Sequence, residues 1–201
     1  MLGLSTLGQS ASSAAVNGPA FLIPALHDDG LSLAGAGWIV AAPIAGSMLT
    51  LILWGAVVDA IGERFVLVSS LALAAVGLTA AVLVHDSDVL LGLALFLAGA
   101  AAAGTSSASG RVVVGWFPPR RRGTAMGIRQ MAQPVGVGLA AIAVPVVASS
   151  HGVGPALILP AAFAAVTALA CALWVVDPAR PPRVASWRPR SPRRRLRPAR
   201  H

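Results

Sequence analysis

Charge is scarce in this chain. Asp, Glu, Lys and Arg make up 11% of its 201 residues, and lysine is absent altogether. Soluble domains carry about 25% charge. With 56% hydrophobic residues and a mean hydropathy of +0.78, an aqueous core cannot hide this much apolar surface, whereas a bilayer solvates it. The single cysteine, Cys171, lies in an apolar run, which excludes an intrachain disulfide and suggests no metal cluster. No basic residue falls between Met1 and Gln9, so a cleavable signal peptide is not expected. There is no Ser/His/Asp grouping, no H-E-x-x-H and no phosphate-cradling G-x-x-x-x-G-K-[ST], so no enzyme, cofactor or metal site is expected. Alternating ten-residue strands are also missing, which argues against a transmembrane barrel. The absence of lysine beside 15 arginines and abundant alanine reads as a GC-rich coding bias without functional meaning.

What is present is six apolar segments, each near the ~20 residues a helix needs to cross the hydrocarbon. They are expected at residues 4–26, 33–58, 65–84, 89–116, 124–148 and 154–176. Backbone groups in lipid must be satisfied within the segment, so all six are read as helices, giving an all-α membrane domain over residues 1–178. The connections alternate in charge. One set holds Arg64, then Arg111 with Arg120, Arg121, Arg122 and Arg129, then a tail with nine arginines. The other holds no arginine, only His27, Asp28, Asp29, His85, Asp86, Asp88 and His151. Positive charge in short loops stays cytoplasmic. Both termini are therefore expected inside, in a bacterial cytoplasmic membrane. The net charge of +8 is local, because residues 178–201 alone contribute +9. That pattern argues for lipid headgroups as partners and against nucleic acid, which needs a folded basic face. The Arg/Pro-rich tail, 179–201, has nothing apolar to fold around and is expected to be disordered.

The sharpest motif is Gly55-Ala56-Val57-Val58-Asp59-Ala60-Ile61-Gly62-Glu63-Arg64, in the turn between the second and third segments. Gly55 sits one turn before Asp59 and is expected to admit a neighbouring helix. Gly62 permits a tight turn. Asp59 stands at a helix C-terminus, where the macrodipole disfavours negative charge, so it is expected to serve an arginine or the N-terminus of another helix. The pattern G-x-x-x-D-x-x-G-x-R, at this position among six spans, resembles the signature loop of the major facilitator superfamily. Arg111, Trp116-Phe117-Pro118-Pro119 and Arg122-Gly123-Thr124-Ala125-Met126-Gly127 are similar to that family's loop between spans four and five. The resemblance covers about residues 5–178. It implies the N-terminal six-helix half of a twelve-helix transporter, whose halves rock about a midplane site. It makes Gly55, Asp59, Gly62 and Arg64 a cytoplasmic gating motif. It also implies that Asp59 engages a second half, so that in this chain it would lack that partner unless another chain, a second six-helix half or a homodimer mate, supplied one. Where the family usually carries an arginine in span four, Leu95 stands here, and no Asp or Glu lies deep in any span; the usual proton coupling is not expected.

Polar residues inside a bilayer are costly and often functional. Gln9, Ser13 and Asn17 recur at i, i+4, i+8 and share one face of span one. Arg129 and Gln133 share a face of span five, with Gln130 alongside. Because the family's spans one and five line the central cavity, Asn17, Arg129 and Gln133 are the expected solute path. Arg129 would suggest an anionic or carboxylate-bearing solute; the alternative is that it snorkels to the interface. Gly99, Gly104 and Ala100 to Ala103 are read as close helix packing, Thr105 to Ser109 as a polar patch facing a cavity, and Pro134 with Gly136 and Gly138 as a kink in span five. Two functions remain open: a secondary active transporter of a small solute, as a truncated or half-size form, or a non-transporting remnant or membrane interaction module. The tail composition fits either a genuine polybasic end or a frameshift.

Overall fold

A computed structural model describes residues 2–116 and 118–175. Among them every regular element is helical and none is a strand. Helix α1 (Leu2–Asn17) passes through a 3-10 segment (Gly18–Leu22) into the short α2 (Ile23–Asp28). Five long helices follow: α3 (Leu33–Ile61), α4 (Glu63–Leu83), α5 (Asp88–Trp116), α6 (Pro119–His151) and α7 (Val153–Trp174). All five are long and apolar enough to cross a membrane. The expected tail at 179–201 lies outside the described residues.

The first expected span is therefore a broken one. Pro19 and Pro24 each lack an N–H, and each ring crowds the carbonyl four residues back. The chain answers by tightening to a 3-10 turn at Gly18–Leu22 and restarting as α2. Elsewhere the helices begin and end within a few residues of the apolar runs, except α6, which starts at Pro119 rather than near 124. Pro118 adopts an extended conformation before it, and Pro119 is tolerated in the first turn because its missing N–H has no intrahelical partner there.

Helix α5 is the hub. It crosses α3 so closely that a Cβ on Gly99 would strike the Pro43 backbone, and one on Gly46 would strike the Phe96 carbonyl. Gly77 on α4 meets Ala98 less closely, at 2.9 Å from an added Cβ, and Gly104 meets Trp54 and Ser70. Small residues are what allow such backbone approach in lipid, where no hydrophobic force drives helices together. The Ala100 carbonyl accepts from both Thr50 Oγ1 (2.7 Å) and Trp54 Nε1 (2.8 Å), pinning α3 further. Helix α1 is stitched differently. Its buried serines donate to carbonyls of its neighbours: Ser12 to Ala102 O (2.9 Å), Ser10 to Ala132 O (2.9 Å) and Ser13 to Gln133 O (3.0 Å). Gly136 of α6 lies directly against the Ser10 carbonyl, so it marks a helix crossing. The outward face of α3 carries large apolar side chains, with Trp38 80% and Ile52 84% exposed, as a surface covered by lipid or protein requires.

Candidate functional site

Two features bear on function, a hairpin at one end of the bundle and a polar cavity at its centre. In the hairpin, Gly62 has φ +118°, a conformation that L side chains rarely adopt, and its N–H donates to Val58 O at 3.1 Å to close α3. The reversal sets Arg64 on the first turn of α4, where its Nη2 donates to Ala172 O near the end of α7 at 2.8 Å. A cation suits that site, since the last carbonyls of a helix are unpaired and partly negative. Asp59 forms a salt bridge with Arg111 of α5. Arg111 is thus an arginine of the kind that Asp59 was expected to serve, and it is not the second-half partner that the resemblance implies. For Gly55, the expected neighbouring helix is not found among the described residues: a Cβ there meets nothing within 4 Å.

The cavity, about 150 Å³, is lined by Gln9, Ser12, Ser13, Val16 and Asn17 of α1, Ser47 of α3, Ala102, Ala103 and Ser106 of α5, and Gln133 of α6. Ser47, Ala102 and Gln133 stand near the midpoints of their helices, which places the cavity at mid-depth of the bundle. Three of the four serine hydroxyls in its wall are already committed as donors to carbonyls, Ser12 to Ala102 O, Ser13 to Gln133 O and Ser47 to Ile44 O. Asn17 Nδ2 donates to Ser13 O at 2.9 Å, and Gln9 Nε2 to Ser106 Oγ at 3.3 Å. The Gln133 amide makes no hydrogen bond among the described residues and remains available. No ionisable side chain lines the cavity.

Arg129 lies behind this wall. It is 9% exposed and turned toward α1 and α5, about 15 Å from the start of α6 at 1.5 Å per residue, rather than reaching for the helix end. Its five N–H groups meet five acceptors. Nε donates to Ser109 Oγ (2.9 Å), Nη2 to Ser106 O (2.9 Å) and Gln9 Oε1 (3.4 Å), and Nη1 to Gln130 Oε1 (3.1 Å) and Met126 Sδ (3.7 Å). Among the described residues it has no carboxylate partner. Of the three expected path residues, then, Asn17 and Gln133 meet at the cavity and Arg129 does not line it.

The Thr105–Ser109 patch divides among neighbours. Thr105 pairs with Ser70 at 2.8 Å, Ser106 faces the cavity, and Ser109 serves Gln9 and Arg129. Ser47 gives no directional signal in the sequence because it is an isolated serine in an apolar helix, and Ser12 gives none because it is one of three serines between positions 10 and 13. Leu95 is fully buried among apolar side chains. The three described histidines make local contacts: His27 with Leu31 O (2.8 Å), His85 with Val82 O (2.8 Å) and His151 with Ser150 Oγ (2.7 Å).

An apolar bundle of membrane-length helices around a mid-depth polar cavity, with a glycine-turned acidic and basic hairpin at one end, is the architecture of an integral membrane protein. A model of the Major Facilitator Superfamily matches residues 5–200, and the chain belongs to that family. Two Mycobacterium tuberculosis proteins, from strains CDC 1551 / Oshkosh and H37Rv, each named as an uncharacterized MFS-type transporter, are 45% identical to it over 177 residues. The match covers 87% of this chain and 39% of each relative, so the chain spans well under half the length of the relatives it matches.

Proposed function

We propose that the chain acts as the N-terminal six-helix half of a secondary active transporter, moving a small polar solute, anionic in the reading that Arg129 motivates, by alternating access. The observation that carries this is the mid-depth cavity, where side chains of α1, α3, α5 and α6 converge as neutral hydrogen-bonding groups in an otherwise apolar bundle. Asn17 and Gln133 contact the solute, and Arg129 holds Gln9 and Ser106 of the same wall from behind. The hairpin of Gly55, Asp59, Gly62 and Arg64 forms the gating element at the arginine-rich end, which faces the cytoplasm of a bacterial cell together with both termini. A second six-helix half, or another copy of the chain, supplies the opposite wall of the path.

The test is uptake into proteoliposomes of small labelled carboxylates and their neutral amides, with the chain alone and with the unmatched portion of a mycobacterial relative. Uptake above that of empty vesicles, falling about tenfold in Gln133→Ala and in Asp59→Ala, is expected. Equally poor uptake of every solute by parent and Asp59→Ala, in both arrangements, would instead support a non-transporting remnant or membrane interaction module.

A further inference from the structure

A buried guanidinium in a membrane helix is costly without a counter-charge. Arg129 has none among the described residues; all five of its partners there are neutral acceptors, so every N–H is occupied by protein. An incoming solute cannot bond to it without dismantling that shell, yet the shell does not cancel its charge. One of its partners, however, also faces the cavity through a different atom. Gln9 takes Arg129 Nη2–H and Ser109 Oγ–H on Oε1, at 3.4 and 3.1 Å, and turns Nε2 toward Ser106 Oγ on the cavity wall. An amide whose oxygen accepts from a cation is polarised, and its N–H becomes a stronger donor.

We propose that Gln9 is the solute-contacting residue through which Arg129 selects charge. Nε2–H of Gln9, with the Ser106 hydroxyl beside it, receives one anionic oxygen of a small carboxylate-type solute. Arg129 is a positioning residue that fixes the orientation of the Gln9 amide and supplies the positive potential without touching the solute. This inference rests on the solute-path reading above. An anion bonded to Gln9 Nε2 would sit about 8 Å from the guanidinium, where a unit charge at an effective dielectric near 20 favours it over a neutral isostere by roughly thirtyfold.

The potential can be read without knowing the solute. Ser47 lines the cavity from the facing helix α3, and cysteine is its nearest isostere. In a Cys171→Ala background, Ser47→Cys is reacted with sulfonatoethyl and with trimethylammonioethyl methanethiosulfonate in lipid nanodiscs. Each rate is divided by that of the same reagent with free cysteine to remove its intrinsic reactivity, and the anionic-to-cationic ratio at one thiol cancels any change in thiolate fraction. A corrected preference of at least tenfold for the anionic reagent is expected. Adding Gln9→Glu hands the guanidinium a carboxylate in the same place and should return the ratio to about one. Arg129→Met should do the same by removing the charge, which guards against a folding failure in either variant; each is first checked for a monodisperse elution profile. A corrected ratio near one in the parent, or a preference unchanged in both variants, overturns the proposal. Modification by neither reagent means that small solutes do not reach the cavity, and then the solute-path reading itself falls and takes this one with it.

Discussion

Two arginines near the arginine-rich end of the bundle solve the same problem in opposite ways. Arg111, at the end of α5, is about half exposed and meets the carboxylate of Asp59. Arg129, on the adjoining α6, is 9% exposed and meets only neutral oxygens and a thioether. The exposed pair has water to fall back on, so either partner can be lost at small cost, the median worth of such a pair being about 0–1 kcal/mol. The buried guanidinium has no such reserve; every acceptor it holds replaces a water it gave up. Exchangeable charge thus lies in the hairpin, where a conformational change could break and remake it, and fixed charge lies behind the cavity, where it defines a potential.

The largest effect should come from breaking the second arrangement. Gln9→Leu removes one acceptor from a buried cation and leaves Ser109 Oγ without its Gln9 partner, and should destabilise the chain by about 2 kcal/mol. Arg129→Met removes the charge together with its need for acceptors and should cost less, about 1 kcal/mol. The double variant should then be more stable than the sum of the two losses by at least about 1 kcal/mol, because the second change removes the charge that the first left exposed to apolar surroundings. Unfolding by dodecyl sulfate in mixed micelles measures all three. Strict additivity would mean that the Gln9–Arg129 contact is incidental.

How far the sequence made this visible differs between the two arginines. Five helices were legible because membrane-length apolar runs admit nothing else. The i, i+4, i+8 recurrence of Gln9, Ser13 and Asn17 correctly put three polar side chains on one face, since 3.6-residue periodicity is a property of the chain alone. The break at Gly18–Leu22 was not read, although Pro19 and Pro24 announced it. What stood beyond reach was partner choice. Arg111 lies 52 positions from Asp59, and nothing in local spacing says that the ends of α3 and α5 meet. Likewise, whether Arg129 points out to the interface or inward depends on Ser109 and Gln9, which belong to other helices. Glycines divide in the same way. Gly99 and Gly104 do sit at close crossings, whereas Gly55 faces open space, and the composition of the helices around them does not separate the cases.

The hairpin supplies intermediate effects. Gly62→Ala places a Cβ on a residue at φ +118°, and should cost about 1–2 kcal/mol while leaving the helices intact by circular dichroism. Asp59→Asn should cost less, within about 1 kcal/mol, and the loss should shrink further as salt rises from low to physiological concentration, because an exposed pair is screened over about 10 Å. A loss in Asp59→Asn as large as that in Gln9→Leu, and insensitive to salt, would erase the contrast between the two arginines.

The smallest expected effect is the most discriminating. Gly55 lies on the same hairpin as Gly62, seven residues earlier, yet its surroundings are empty and its backbone is an ordinary helix. Gly55→Ala should therefore be neutral or slightly stabilising in the isolated chain, by up to about 1 kcal/mol, since alanine is the better helix former. If uptake in vesicles that also contain a second half nevertheless falls while stability of the chain alone is unchanged, then the space beside Gly55 is occupied only in the assembled transporter. If uptake is unaffected, Gly55 is merely a small residue on a lipid-facing helix, and the gating role of the hairpin rests on Asp59, Gly62 and Arg64 alone.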